Sequence, residues 1–257
     1  AIAISGSPEA LDGIGKNVKE GQTPSMYDYQ LYIMNLADRK ITPVTKDFNP
    51  NVGSWEWSNY DNKIYFTAEN TDLISLFKLN PANGKIEQIP VEEDNVKRFA
   101  LASNAPVMVW YGQSASNSDR SYLADLKKGK TTMLEDLSKD ILEGIKLGEC
   151  KPWNFTNSKG DNINGRYYLP ADFDPAKKYP VILYVYGGPH SQMVNNTFCA
   201  NLRRWEMYMA QRGYVVCEMD NRSTQHHGAE YEKAIHRQCG QAEMADQMKG
   251  IEWLKSH

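Results

Sequence analysis

Three stretches of the chain line up at a single spacing, and this repeat limits the folds open to its first half. They are Leu31-Tyr32-Ile33-Met34-Asn35-Leu36, Leu76-Phe77-Lys78-Leu79-Asn80-Pro81 and Ser121-Tyr122-Leu123-Ala124-Asp125-Leu126. Tyr32, Phe77 and Tyr122 stand 45 residues apart, as do Asn35, Asn80 and Asp125, and Lys40, Lys85 and Lys130. Each unit reads as a strand, a polar turn (Ala37-Asp38-Arg39, Ala82-Asn83-Gly84, Lys127-Lys128-Gly129) and a returning strand. Asn or Asp beside Gly or a charged neighbour suits a tight hairpin.

A second strand pair falls between these hairpins. Trp55–Asn59 precedes Lys63–Thr67, Leu101–Asn104 precedes Val107–Trp110, and Ser58-Asn59 recurs as Ser103-Asn104 at the same 45-residue spacing. Four strands per unit at this period is the pattern of a β-propeller blade. A chance coincidence among β-rich segments is the alternative, and several registers agreeing at one spacing speak against it. About three blades fit into residues 1–135, whereas a closed propeller has about 4–8, so more blades are expected upstream. Residues 5–25, punctuated by Gly6, Pro8, Gly13, Gly15, Gly21 and Pro24, read as a long loop between strands.

The pattern changes after a helix-like connector over residues 136–150. Asn164–Pro170 reads as a strand stopped by proline. Val181–Tyr186 is an unbroken apolar run, expected for a strand buried on both faces. A helix is expected over Leu202–Arg212, with Leu202, Trp205, Tyr208 and Met209 on one side and Gly213 ending it. Tyr214–Met219 reads as the next buried strand. A last helix, from about Gln241 to Lys255, would place Met244, Met248, Ile251 and Leu254 on its apolar face. Strands alternating with helices imply a mostly parallel α/β sheet over residues 151–257. The expected fold is therefore the C-terminal blades of a β-propeller over 1–135, the connector, and the N-terminal part of an α/β domain.

The second strand runs into Tyr186-Gly187-Gly188-Pro189. In serine hydrolases a loop of small residues after an early strand supplies part of the oxyanion hole. Glycines suit it because backbone or a side chain must come close to developing negative charge. Tyr186 stands at the carboxyl end of its strand, where ligands bind in open α/β sheets. On pattern alone, a hydroxyl donor to an oxyanion and a core aromatic beside an ordinary turn weigh equally.

Longer stretches carry a resemblance. Val185-Tyr186-Gly187-Gly188-Pro189-His190, Gly213-Tyr214-Val215-Val216 with Asp220-Asn221-Arg222, and Ala234–Gln238 followed by Glu243–Met248 resemble the prolyl oligopeptidase family. The similarity points to its branch of dipeptidyl peptidase IV and prolyl tripeptidyl peptidase, closely over 150–257 and loosely over the repeat. It implies a propeller followed by an α/β-hydrolase domain, with no cofactor or metal. It also implies a serine exopeptidase that releases di- or tripeptides after proline, with Tyr186 as the oxyanion-hole donor and Gly187, Gly188 and Pro189 as the supporting loop. Proline-containing peptides are the implied partners, a bacterial periplasm or exterior the implied location, and a homodimer an arrangement the family permits. Two rivals stand beside this reading: a non-catalytic propeller that binds peptides, and an acylaminoacyl peptidase or esterase.

The family's nucleophile sits in Gly-Trp-Ser-Tyr-Gly, and no G-x-S-x-G occurs in this sequence. Gly112-Gln113-Ser114-Ala115-Ser116 comes nearest, but it follows a blade strand and leads into no helix, so Ser114 reads as a blade loop. The triad's acid and histidine follow the serine in α/β-hydrolases. All three triad members are therefore expected outside this chain, and the 257 residues alone are expected to be inert. Glu92-Glu93 lies in a polar connection and is not matched to the family's substrate-binding glutamates. Where the family has Gly-Ser after Asp-Xaa-Arg, this chain has Ser223-Thr224, with no role assigned; Arg222 is expected in a structural ion pair.

The remaining features exclude more than they assign. A net charge of −3 argues against nucleic acid as a partner. No run of about 18 apolar residues is long enough to span a membrane. Cys150, Cys199, Cys217 and Cys239 are too sparse for a disulfide framework and read as mostly buried thiols. His226-His227, His236 and Cys239 are better explained as structural residues than as metal ligands. Asn154-Phe155-Thr156 and Asn195-Asn196-Thr197 match the glycosylation sequon, which carries little weight in a bacterial protein. The start at Ala1-Ile2-Ala3-Ile4 and the finish at Trp253–His257 both read as cuts within a longer protein.

Overall fold

A computed structural model describes residues 1–257 except Met26 and His190, and leaves out the side chains of Asn201 and Leu202. The chain divides into two compact units. Unit 1 comprises Ala1–Gly112 and Arg120–Asp136, and unit 2 comprises Gln113–Asp119 and Leu137–His257.

Unit 1 is built of antiparallel strands. β1 (Ile2–Gly6), β2 (Gln30–Met34) and β3 (Ile41–Pro43) form one sheet, with the turn α1 (Ala10–Gly13) in the loop between β1 and β2. β4 (Asn51–Trp57), β5 (Ile64–Asn70), β6 (Leu73–Leu79) and β7 (Ile86–Ile89) form a four-stranded meander, and β8 (Asn95–Leu101), β9 (Val107–Gln113), β10 (Arg120–Asp125) and β11 (Lys130–Asp136) form the next. Among the described residues the strands of the two meanders pair at Ile74 and Asn95, and the meanders share a buried cluster in which Tyr65 and Leu76 meet Val96, Phe99 and Met108. They are two blades, joined more by side-chain packing than by backbone pairing.

The repeat has a local physical cause. The side chains of Asn35, Asn80 and Asp125 each accept the backbone N–H two residues on, from Ala37 (2.9 Å), Ala82 (3.0 Å) and Lys127 (3.0 Å). Asn and Asp offer this turn-forming bond more strongly than Ser or Thr do. The backbone N–H groups of Asn35 and Asn80 close the hairpins on the Lys40 and Lys85 carbonyls, both at 2.9 Å, and Asp125 pairs with Lys130 in the third. The repeated aromatics are buried. Phe77 stacks on Phe66 at 5.5 Å in one blade, and Tyr122 on Trp110 at 4.3 Å in the next. Glu93 is buried under β10, where the Tyr122 hydroxyl donates to it at 2.6 Å. It lies in the connection between β7 and β8, as expected, but is packed against the blade.

Unit 2 carries a sheet in the order β12 (Cys150–Thr156), β13 (Asn162–Tyr168), β15 (Val215–Met219), β14 (Val181–Tyr184). The helices are α2 (Lys139–Leu142), α3 (Cys199–Leu202), α4 (Trp205–Gln211), α5 (Ala229–Glu232) and α6 (Ala242–Ser256). Four expectations change here. The sheet is not mostly parallel: β12–β13 and β13–β15 are antiparallel, and only β14–β15 is parallel among the described strands. β14 is not buried on both faces, since it lies at the end of this sheet with one neighbour, and Val181 is exposed. The helix expected over Leu202–Arg212 is broken into α3 and α4 by Arg204, whose φ of 71° takes the backbone into the left-handed region. On α4 the buried residues are Glu206, Met207 and Ala210, while Tyr208 is exposed; the Leu202 side chain lies outside the described residues.

The fourth change concerns α6. Its buried residues are Asp246, Gln247 and Gly250, and Met244 and Met248 face outward. Gly250 explains the rotation. A Cβ there would lie 2.3 Å from the Met219 methyl and 3.2 Å from the Phe155 ring, so the missing side chain lets the helix seat on β15 and β12. Asp246 and Gln247 turn inward because polar partners await them, as described below. The connector, read as helix-like, holds only the single turn α2.

Candidate active site

Tyr186 follows the end of β14, beside β15, at the carboxyl end of the parallel pair. Its side chain is half exposed and does not sit in any of the buried hydrophobic clusters. Gly187 adopts φ +77°, which an L side chain reaches only with strain. Gly188 lies under the tyrosine ring, and a Cβ there would approach Tyr186 Cε1 to 3.3 Å. Both glycines are thus needed for distinct reasons, one for backbone conformation and one for space. Pro189 is exposed, and His190 lies outside the described residues.

The loop rests on residues that follow β15. Ser223 Oγ donates to the Gly188 carbonyl at 3.4 Å, and Asn221 Nδ2 reaches the Gly187 carbonyl at 3.5 Å. Asn221 Nδ2 also bonds Ser223 Oγ at 3.3 Å, and its Oδ1 accepts from Gln247 Nε2 of α6 at 2.9 Å. Between them, Arg222 grips Asp246 of α6 through Nε–Oδ2 and Nη2–Oδ1 contacts, both 2.9 Å. Asp246 also accepts the Arg222 backbone N–H at 2.9 Å and Asn157 Nδ2 at 3.0 Å. Arg222 is the structural ion pair expected from the sequence.

The chain beyond the glycine loop hangs on buried charges. Asp220 accepts the N–H groups of Met193 at 2.8 Å and Val194 at 3.1 Å. Burial pushes its carboxyl up to about 8, against these two donors, which favour the anion. Arg166, fully buried on β13, donates to the carbonyls of Met193 (3.2 Å), Asn195 and Thr197 (3.3 Å) and pairs with Glu218 at 2.9 Å. Arg203 bridges Glu218 and Glu206, both at 2.7 Å, and lies 4.9 Å over the Tyr184 ring. Irregular backbone inside a fold needs partners for its N–H and C=O groups, and these side chains supply them.

Of the other sequence candidates, His227 touches this constellation through Tyr231, whose carbonyl accepts the Ser223 N–H at 2.9 Å and whose hydroxyl donates to the Asp220 carbonyl at 2.6 Å. Ser114 sits in a tight loop closed by its N–H on the Asn117 carbonyl at 3.1 Å. His227 stacks on Tyr231 at 4.7 Å, and His226 Nδ1 meets Gln192 Oε1 at 2.9 Å. Cys199 and Cys217 are buried, Cys150 is partly buried, and Cys239 is exposed. Among the described residues no group of three His, Cys, Asp or Glu side chains is placed to hold a metal, and no helix is long and apolar enough to cross a membrane. Sequence reasoning gave no role to Ser223, Asn221, Asp220 or Arg166. The one signal available was the Ser-Thr that stands where Gly-Ser is usual.

The sequence profile of the prolyl oligopeptidase family matches residues 200–257, which run from α3 through the Asp220–Ser223 loop to the end of α6. Over these residues the chain is similar to the prolyl oligopeptidase family. A crystal structure of a candidate dipeptidyl aminopeptidase IV from Bacteroides ovatus superposes on it with TM-score 0.74 at 30% identity, covering 91% of this chain and 36% of that one. Dipeptidyl-peptidase 5 of Porphyromonas gingivalis is 28% identical over 227 residues, 88% of this chain and 32% of the relative. Human dipeptidyl peptidase 8 is 39% identical over 105 residues, 40% of this chain and 12% of the relative. The chain thus spans about a third of the length of the bacterial relatives it matches. Its fold is that of these structural neighbours: β-propeller blades followed by an α/β-hydrolase sheet.

Proposed function

We propose that this chain is part of a serine exopeptidase that removes di- or tripeptides after proline from peptide N-termini. The observation that carries the proposal is the half-exposed Tyr186 hydroxyl on a glycine loop, at the carboxyl end of the parallel strand pair. In this reading residues 1–135 are blades, 136–150 the connector and 151–257 the start of the peptidase domain. A serine outside these residues attacks the scissile carbonyl and passes its proton to a histidine. The carbonyl π pair moves onto oxygen, and the Tyr186 O–H donates a hydrogen bond to that oxyanion. Collapse of the intermediate expels the amine, which takes the proton back from the histidine, and leaves the di- or tripeptide as an ester on the serine. Water, deprotonated by the same histidine, then cleaves that ester, and the proton returns to the serine oxygen. The donor matters because its bond strengthens as charge develops, which lowers the barrier rather than the substrate's energy. Substrates are proline-containing peptides, and the protein acts in the periplasm or outside the cell.

The test is Tyr186→Phe in the full-length protein containing this chain. The expected result is a kcat loss of about 10²–10³ with little change in KM. An unchanged kcat would overturn the assignment. Release of p-nitroaniline from Gly-Pro and Ala-Ala-Pro substrates, set against acylated amino-acid substrates, separates di- and tripeptidyl release from acylaminoacyl release.

A further inference from the structure

Ser223 is buried, and its backbone adopts φ 101°, a conformation that strains any residue with a Cβ. Glycine would hold it without strain, which accounts for the Gly that the family pattern usually places after Asp-Xaa-Arg. Something must offset the strain of a serine here. Its hydroxyl is the only part a glycine would lack besides the Cβ, and that hydroxyl lies between the Gly188 carbonyl at 3.4 Å and Asn221 Nδ2 at 3.3 Å. The backbone is fixed as well, with Ser223 N–H bonded to the Tyr231 carbonyl at 2.9 Å. Asn221 is in turn held by Gln247 of the long helix α6 at 2.9 Å. A chain of hydrogen bonds therefore runs from α6 through Asn221 and Ser223 to the peptide two residues beyond Tyr186. The ring of Tyr186 lies close enough that a Cβ on Gly188 would come within 3.3 Å of its Cε1.

We infer that Ser223 is a positioning residue, which fixes the Gly187-Gly188 backbone and through it the place of the Tyr186 hydroxyl. The inference rests on the oxyanion role proposed above for its effect on rate, but not for its effect on the loop. A serine in place of glycine exchanges backbone ease for a side-chain tether on the donor loop. The tether acts on the transition state alone, because a substrate carbonyl carries too little charge to need a donor in one place.

The test compares Ser223→Gly and Ser223→Ala with the unaltered full-length protein, with Tyr186→Phe in parallel. Glycine removes both strain and tether, so that variant folds; alanine keeps the strain and removes the tether. In both, backbone amide hydrogen exchange over residues 186–188 should quicken. In both, kcat should fall about tenfold with KM within twofold, the pattern of a misplaced catalytic group. Ser223→Gly should melt no lower than the parent. Unchanged exchange at 187–188 in Ser223→Gly, or a kcat within twofold of the parent when Tyr186→Phe is crippled, would overturn the inference. If Tyr186→Phe retains full kcat while Ser223→Gly loosens the loop, the oxyanion assignment fails and the tether stands.

Discussion

Arg222 and Asp246 meet through two parallel contacts of 2.9 Å, with the carboxylate almost wholly buried and the guanidinium mostly so. This fork ties the loop after β15 to α6 and stands between the two residues that touch the glycine loop. Removing the acid leaves the arginine without its main partner. Asp246→Ala is expected to destabilise the protein by about 3 kcal/mol, with Asp246→Asn intermediate, measured by urea unfolding. A loss under about 1 kcal/mol would class the pair with ordinary surface bridges.

Gly188→Ala tests the space beneath the tyrosine. The added methyl would press on Tyr186 Cε1 at 3.3 Å. The ring end of a half-exposed side chain can give way, so folding should survive with a Tm within a few degrees. The hydroxyl should not survive in place, and kcat should fall about 10- to 100-fold in the full-length protein. Gly187→Ala differs, since φ +77° opposes any Cβ, and a stability loss of about 1 kcal/mol should accompany the lost activity.

Asp220 gives a prediction about pH. Burial raises its folded carboxyl to about 8, above the ordinary value of 3.8 that the unfolded chain keeps. Between these values the folded state binds more protons than the unfolded one, so stability falls as pH rises from about 4 to 8, and this contribution is lost above 8. The groups facing it include Glu218, which pushes in the same direction, and Arg166, which opposes it. Asp220→Asn should flatten the stability profile over that window, as read by chemical unfolding at several pH values. A wild-type profile rising through the same window would contradict the assignment.

The blade turns are open to the same treatment. Asn80→Ala removes the acceptor that holds the Ala82 N–H at 3.0 Å. One neutral hydrogen bond at a partly exposed turn is worth about 0.5–1.5 kcal/mol. Asn80→Asp keeps the acceptor and should recover most of the loss in thermal melting.

The blades were legible in the sequence because their period comes from local chemistry. An Asx turn needs Asn or Asp at one place per hairpin, and the sequence repeats that need every 45 residues at Asn35, Asn80 and Asp125. Tyr186 and its glycines were legible for a similar reason, since the loop's demands fall on consecutive residues. Helix α6 was misread because apolar periodicity marked Met244 and Met248, while the face that packs is chosen by Gly250 and by polar partners distant in sequence. The Arg166–Glu218 pair was hidden for the same cause: its members stand 52 residues apart and each looks like an ordinary charge on a strand. Ser223 was visible as a departure, but only the geometry supplied its φ and its hydroxyl contacts.

The single bridge between Ile74 and Asn95 has a mechanical consequence. A ladder of many rungs transmits tension and melting from strand to strand; one rung does not. What couples neighbouring leaves is instead the buried side-chain cluster in which Tyr65 and Leu76 of one meet Val96, Phe99 and Met108 of the next, so cohesion between leaves rests on packing rather than on backbone rungs.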